Sequence, residues 1–172
     1  MINFHKYFII FSFTIIFFSC SEYQKLLNSE DVSVKYKAAE KLYNEAEYRK
    51  ANRLFEMIAP KYRGKPQAER VIFFLADTYM KTKSYLLSAY EFEKFTKSYP
   101  KSQKVQEALF LEAKSYYFLS PEFSLDQDDT QTALDKLQIF INKFPKSKFI
   151  EEANILVIEM QTKLEKKDFE IS

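Results

Sequence analysis

Apolar side chains after Ser33 recur every three or four residues along the chain and do not alternate with polar ones. Helices produce the first pattern, whereas half-buried strands produce the second. The sequence therefore predicts seven helices joined by short polar turns, at about residues 33–47, 49–61, 66–82, 84–98, 102–119, 130–143 and 147–169. Pro66 is expected in a first helical turn, and Ser102 and Ser147 as N-cap residues, because proline and serine favour those positions.

Three segments of the helical region share one template. Tyr36, Phe73 and Phe110 follow one another at steps of 37 residues, and the step becomes 45 beyond an eight-residue insertion between Tyr117 and Ala133. A repeat of this length indicates stacked helical hairpins. Such stacks form binding surfaces more often than catalytic pockets, so the sequence predicts an adaptor protein.

Small residues recur where the two helices of each hairpin must approach closely. They are Ala39, Ala76 and Ala113 on the first helices, and Ala51, Ser88 and Ala133 on the second. Large side chains follow one turn later on the second helices, at Phe55, Phe92 and Leu137, and are expected to fill the space between hairpins.

The order of small and aromatic residues, closed by a proline, resembles the tetratricopeptide repeat over about residues 33–169. The best match is the middle unit, with Ala76, Tyr79, Ser88, Phe92 and Pro100. The expected fold is therefore all-α, a right-handed stack of about seven helices in antiparallel hairpins.

Composition removes several classes of function. The chain has 172 residues and a formal net charge of +2, with one glycine (Gly64), one histidine (His5) and one cysteine (Cys20). A glycine-rich phosphate loop and a zinc site require more of these residues than the chain offers, and a mature chain beginning at Cys20 has no histidine for a Cys–His nucleophile. We expect no enzyme activity, no metal, no non-covalent cofactor and no nucleic-acid partner.

Residues 1–19 have the layout of a secretory signal peptide. Lys6 closes a short positive end, and the twelve apolar-rich residues from Tyr7 to Phe18 follow. As a helix they cover about 18 Å, whereas a membrane core is about 30 Å thick. The segment Phe17-Phe18-Ser19-Cys20 resembles the lipobox of bacterial lipoproteins, with phenylalanine at its first two positions.

The lipobox resemblance implies that Cys20 becomes the N-terminal residue and carries lipid. The alternatives are a small buried residue or half of a disulfide, and a chain with one cysteine offers no second half. Residues 20–32 then form a lipidated tether, with an amphipathic turn at Tyr23 to Leu27, ahead of the repeat domain at 33–169.

The first helices of stacked hairpins line a concave face, and the repeat register names nine residues there. They form an aromatic row (Tyr36, Phe73, Phe110), a charged row (Glu40, Asp77, Lys114) and a second row (Tyr43, Met80, Tyr117). Aromatic side chains suit a peptide groove, and a buried Asp or Lys would need a partner, so we expect these residues to be partly exposed. The alternative is that they belong to the hairpin core, seen from its edge.

The segment 120–130 carries three aspartates in four residues, Asp126, Asp128 and Asp129. A calcium loop of the EF-hand type would need a glycine at its turn and a glutamate at its end, and both are missing here. The segment is therefore interpreted as a solvated loop that caps the helix beginning near Thr130.

The lipobox, the tether and the hairpins with their Tyr/Phe-Pro-Lys-Ser junctions together resemble the BamD-type outer-membrane assembly lipoproteins, also called the competence lipoprotein family. The cues are Ala51 with Phe55, the segment from Phe140 to Pro145, and the insertion that ends in Leu125-Asp126-Gln127. The resemblance implies a lipid-anchored scaffold on the periplasmic side of the outer membrane. Its partners would be the barrel-inserting protein, other assembly lipoproteins and unfolded β-barrel substrates.

Two other readings stay open. One is a different tetratricopeptide lipoprotein, such as a pilotin that escorts a secretin, and the other is a glycan-binding lipoprotein of the SusD-like class. Family members usually have about five repeats, whereas this sequence stops after the first helix of a fourth pair. We therefore expect either a chain truncated at its C-terminal end, in which Ile155, Leu156, Ile158 and Met160 lack a covering helix, or a last helix that caps the stack in an unusual way.

Overall fold

A computed structural model describes residues 22–171, and within them the chain forms eight α-helices, one 3-10 helix and no strand. The α-helices are α1 (22–28), α2 (Val32–Asn44), α3 (Tyr48–Ile58), α4 (Ala68–Lys81), α5 (Tyr85–Ser98), α6 (Val105–Leu119), α7 (Asp128–Lys143) and α8 (Ile150–Ile171), and the 3-10 helix is Ala59–Tyr62. The predicted all-α fold of packed hairpins is confirmed. The predicted signal peptide and Cys20 lie outside the described residues.

The chain divides into two compact units, and the boundary in the sequence falls between Lys61 and Tyr62. In the described part of the first unit, α2 and α3 form one hairpin. In the second unit the helices pack in sequence order, α4 on α5, α5 on α6, α6 on α7 and α7 on α8. We call α4, α6 and α8, the first helices of successive pairs, the inner helices, and α5 and α7 the outer helices. The inner helix α6 also contacts α4 and α8. None of the helices in residues 22–171 combines the length and apolarity that crossing a membrane requires.

Small residues bring the helices of each hairpin together, as the repeat predicts. The positions concerned are Ala39 and Ala51 in the first unit, and Ala76, Ser88, Ala113 and Ala133 in the second, all fully buried. Ser88 also satisfies its hydroxyl inside this seam, since it donates to the Ala76 carbonyl at 3.2 Å and lies 3.0 Å from the Ser115 hydroxyl. The predicted large side chains Phe55, Phe92 and Leu137 are likewise fully buried.

Aromatic residues fill the core of the second unit. One cluster joins α4, α5 and the start of α6 around Phe92 and Phe95, and the next joins α6, α7 and α8 around Phe110 and Phe140. Each cluster contains residues from an inner helix and from the outer helix of the same hairpin. The 37-residue repeat in the sequence therefore corresponds to one packing arrangement that occurs twice within this unit.

Helix ends depart from the prediction where a turn needs special backbone geometry. Helix α2 stops at Asn44 because the chain turns at Ala46, whose φ is 59°. Pro66 precedes α4 instead of lying in its first turn, since α4 begins at Ala68. Ser102 and Ser147 are not N-caps either. Each accepts a hydrogen bond from the backbone N–H two residues later, at 2.9 and 3.1 Å, and opens a turn ahead of its helix.

The inserted segment is an ordered loop that is tied to α8. Gln127 is buried and donates to the carbonyls of Glu122 and Leu125 at 2.8 and 3.1 Å. Lys167 donates to that same Leu125 carbonyl at 2.8 Å. Asp128 and Asp129 lie in the first turn of α7, where negative charge stabilises the helix. The aspartates thus support the start of α7, which begins two residues earlier than predicted.

Helix α8 is covered more fully than the sequence suggests. Leu156 and Met160 are buried, so the expectation that they lack a cover is wrong. Ile155 and Ile158 are 51% and 62% exposed, as expected. They lie 45 residues after Phe110 and Ala113, which are buried by the outer helix α7.

Candidate functional site

The predicted aromatic row belongs to the hairpin core within the second unit. Phe73 packs edge-on against Phe92 and Phe95, with ring centroids 5.6 and 5.5 Å apart, and Phe110 stacks on Phe149 at 4.8 Å. Both Phe73 and Phe110 are buried, so the expected partial exposure is wrong for them. The physical reason is that neighbouring aromatic side chains cover each ring. Phe92 and Phe95 of α5 cover Phe73, and Phe149, in the turn before α8, covers Phe110. Tyr36, in the first unit, is half-buried.

The charged row has three different environments. Glu40 is half-buried and accepts a hydrogen bond of 2.6 Å from the Tyr36 hydroxyl, one turn earlier on α2. Asp77 is buried, contrary to expectation, because α4 is packed against both α5 and α6. Lys114 is half-buried and forms an ion pair of 2.6 Å with Glu152 of α8. The row is therefore a set of satisfied groups, and only Glu40 and Lys114 reach solvent.

The second row, Tyr43, Met80 and Tyr117, is half-buried at all three positions. In the first unit, Tyr43 meets Tyr48 edge-on with centroids 5.6 Å apart. In the second unit, Met80 covers the edge of the aromatic cluster, and Tyr117 donates a hydrogen bond of 2.6 Å to Glu159. That hydrogen bond raises the pKa of Tyr117 above its usual range, with burial adding to the shift. These side chains combine an apolar body with accessible surface.

Helix α8 supplies residues that the sequence analysis missed. Glu152 and Glu159 lie two turns apart and face Lys114 and Tyr117 of α6, while Phe149 stacks on Phe110 just before α8 begins. A signal was available, since the 45-residue step places α8 as the next inner helix. The seven-residue spacing of Glu152 and Glu159 then places both carboxylates on the face of α8 that is directed toward α6.

A buried ion pair joins α6 and α7. The Glu112 side chain is almost fully inaccessible and accepts a hydrogen bond from Lys136, whose ammonium also lies 3.4 Å from Glu93 of α5. Burial raises the pKa of Glu112, and the Lys136 ammonium limits that rise. The pKa of Glu93 is lowered, first by its hydrogen bond with Lys97. This network links the three helices α5, α6 and α7.

The geometry of the second unit suits recognition of a polypeptide. Its inner helices α4, α6 and α8 present half-buried and exposed apolar side chains beside paired charges, and Met80 and Tyr117 are among the half-buried ones. Rigid aromatic and flexible methionine side chains both accommodate varied apolar partners. The paired charges at the edge can contribute to selection among partners more than to affinity.

Comparison with known proteins agrees with this architecture. The family model of YfiO, described as an outer membrane lipoprotein, matches residues 28–172. The chain is also similar to the outer membrane protein assembly factor BamD of Helicobacter pylori (strain ATCC 700392 / 26695), with 24% identity over 99 residues.

That alignment covers 58% of this chain and 45% of the Helicobacter protein, so the chain matches less than half of that relative's length. The BamD-type resemblance drawn from the repeats is confirmed, and it is favoured over the pilotin and SusD-like readings. The chain belongs to the YfiO family of outer membrane lipoproteins.

Proposed function

We propose that this protein is a lipid-anchored scaffold of outer-membrane protein assembly, which binds unfolded β-barrel proteins and the barrel-inserting protein on the periplasmic side. The observation that carries the proposal is the family match across residues 28–172. The name of the Helicobacter relative, an outer membrane protein assembly factor, supports the same role. Other assembly lipoproteins are further proposed partners.

Within the second unit, the second-row residues Met80 and Tyr117 supply the proposed contact with unfolded barrels. Unfolded β-barrel segments alternate apolar and polar side chains, and a helical surface can receive the apolar ones on Met80 and Tyr117. Both residues keep accessible area while their neighbours Phe73 and Phe110 are buried. We assign unequal roles to the predicted groove residues of the second unit: the buried Phe73 and Phe110 hold the helices together, and Met80, Tyr117 and Lys114 meet the partner.

Binding through the second row predicts a local effect for a charge at Met80. Met80→Glu is expected to weaken binding of a fluorescently labelled, urea-unfolded β-barrel protein by roughly tenfold or more, because a carboxylate must be desolvated against an apolar segment. A binding titration beside a melting curve measures both effects. Ile139→Glu is the matched control, since Ile139 is an exposed apolar residue on the outer helix α7.

The Ile139→Glu control separates a local effect at Met80 from a general effect of added negative charge. Equal losses in Met80→Glu and Ile139→Glu would indicate a general effect of added negative charge. Unchanged binding in a folded Met80→Glu protein would rule out the second row as the binding surface.

The membrane anchor is proposed to be lipid on Cys20. A single acyl chain holds a protein only marginally, whereas the several chains of a bacterial lipoprotein anchor it stably. Because Cys20 precedes every described helix, its replacement leaves the packed residues unchanged.

Cys20→Ala is therefore expected to move the protein from the membrane fraction to the soluble fraction without lowering its melting temperature. Metabolic labelling with a fatty-acid analogue provides the direct readout. Labelling of Cys20→Ala as strong as that of the parent protein would contradict lipid attachment at this residue.

A further inference from the structure

A cavity of about 620 Å³ opens in the second unit where the chain enters α6 and α8. We refer to it as the junction pocket. Its lining includes Lys101, Lys104, Lys148, Glu69, Glu107 and Phe149. The pocket is separate from the second row, since neither Met80 nor Tyr117 lines it. Its volume falls within the range of about 300–1,000 Å³ that is usual for ligand sites.

The repeated junctions give this pocket a fixed shape. Before α6, the backbone N–H of Ser102 donates to the Tyr99 carbonyl at 3.0 Å, and before α8 Ser147 donates to Phe144 at the same distance. The Ser102 hydroxyl also donates to the Glu69 carboxylate, which ties the first junction to the start of α4. The walls are thus held by backbone and side-chain hydrogen bonds before any ligand enters.

The charges that line the pocket leave two ammonium groups without an acidic partner. Glu107 is paired with Lys104 at 2.7 Å, and Glu69 is held by Ser102. In the described part of the chain, neither Lys101 nor Lys148 forms an ion pair. Three lysines against two glutamates give the lining a net charge of +1. The pocket is positive, but only modestly so.

One wall of the pocket is aromatic. Phe149 is half-buried and stacks on Phe110 with an interplanar angle of 9°, while the Lys148 ammonium lies 4.8 Å above the Phe149 ring. The Lys104 ammonium lies at the same distance over the Phe73 ring. Cationic groups and the Phe149 ring therefore line the same opening, which suits a ligand that is both anionic and apolar.

We propose that the junction pocket binds a carboxylate-bearing peptide segment, in which an Asp or Glu side chain contacts Lys101 and Lys148 and a neighbouring apolar side chain contacts Phe149. Lysine ammonium groups act as point charges and can bind a carboxylate in several orientations. The two glutamates of the lining disfavour ligands of high negative charge, such as polyphosphates and nucleic acids. The proposal goes beyond barrel binding by the second row and does not depend on it.

The probe is an acetylated, C-terminally amidated octapeptide with two Asp and two Phe residues, and its comparison peptide has Asn in place of Asp. We expect the Asp peptide to bind at least tenfold more tightly than the Asn peptide, and the difference to shrink at high salt. Changing Lys101→Glu and Lys148→Glu together should abolish that preference. Lys101→Gln with Lys148→Gln removes the charges without adding new ones and guards against misfolding of the first variant.

The matched control is Lys143→Glu with Lys166→Glu, which changes the net charge equally at two exposed positions away from the pocket. This control should retain the preference for the Asp peptide, and melting curves should show that all variants are folded. Equal binding of the two peptides by the parent protein would overturn the proposal. So would a control that loses as much affinity as the pocket variants, because long-range charge would then explain the binding.

Discussion

Lys136→Met is expected to destabilise the second unit by about 3 kcal/mol at neutral pH. Removing one member of a buried ion pair costs about 3–5 kcal/mol, because the remaining charge stays buried without compensation. Glu112 is 1% exposed and would be that remaining charge. The lower end of the range applies because the Lys136 side chain is 26% exposed and water can reach the site.

The loss should depend on pH in a defined direction. Burial raises the pKa of Glu112 above its ordinary value of 4.5, and the loss of the Lys136 ammonium should raise it further. A carboxyl whose pKa is higher in the folded chain destabilises the fold as pH rises from the unfolded pKa through the folded one. The difference in stability between Lys136→Met and the parent should thus be largest above the raised pKa and shrink below pH 4.5.

The other charges around this site supply the controls. Glu93 of α5 and Lys97 are the remaining charged groups that act on Glu112. Lys97→Met removes an ion pair of 3.1 Å to Glu93 whose lysine is 71% exposed, so it should cost at most about 1 kcal/mol. Adding Glu112→Gln to Lys136→Met should recover part of the lost stability. Denaturant titrations at several pH values would contradict this account if Lys136→Met and Lys97→Met behaved alike.

Phe92→Ala is expected to destabilise the second unit by about 3–5 kcal/mol, as is usual for a large buried aromatic residue. Phe92 is completely buried and packs edge-on against Phe73 across the hairpin. It also lies in one cluster with Val105 and Ala108 of α6, so the change opens a cavity between adjacent hairpins.

Tyr90→Ala on the same helix is the control for Phe92→Ala. Tyr90 is exposed on α5, and its truncation should change stability by about 0.5 kcal/mol or less. Thermal unfolding measures both variants. A melting temperature of Phe92→Ala within a degree of the parent would contradict the packing described here.

The fold could be predicted from the sequence because small residues at equivalent repeat positions mark where helices are buried against each other. Ala76 and Ala113 share one position in the unit, as do Ser88 and Ala133, and only small residues allow the helices to approach there. The exposure of individual groove residues could not be predicted in the same way. Phe73 is buried by rings on α5, and sequence periodicity does not give the distance between such rings.

The ion pair between α6 and α8 could not be predicted from the sequence for a related reason. Lys114 finds Glu152 only because α8 packs beside α6, and the repeat template contains no charge pair at that step. Glu112 did leave a signal, since it stands 37 residues after the buried Leu75. A charged residue at an apolar repeat position indicates a partner of opposite charge, and Lys136 is that partner.

The central claim is that the second-row residues of the second unit, Met80 and Tyr117, bind unfolded barrel proteins. Photo-cross-linking in intact cells tests it most directly, with a photoreactive residue at Met80 in one strain and at Ile139 in another. The account predicts cross-links from Met80 to outer-membrane β-barrel proteins, identified by mass spectrometry, and none from Ile139. The same products from both positions, or no barrel protein attached at Met80, would contradict it.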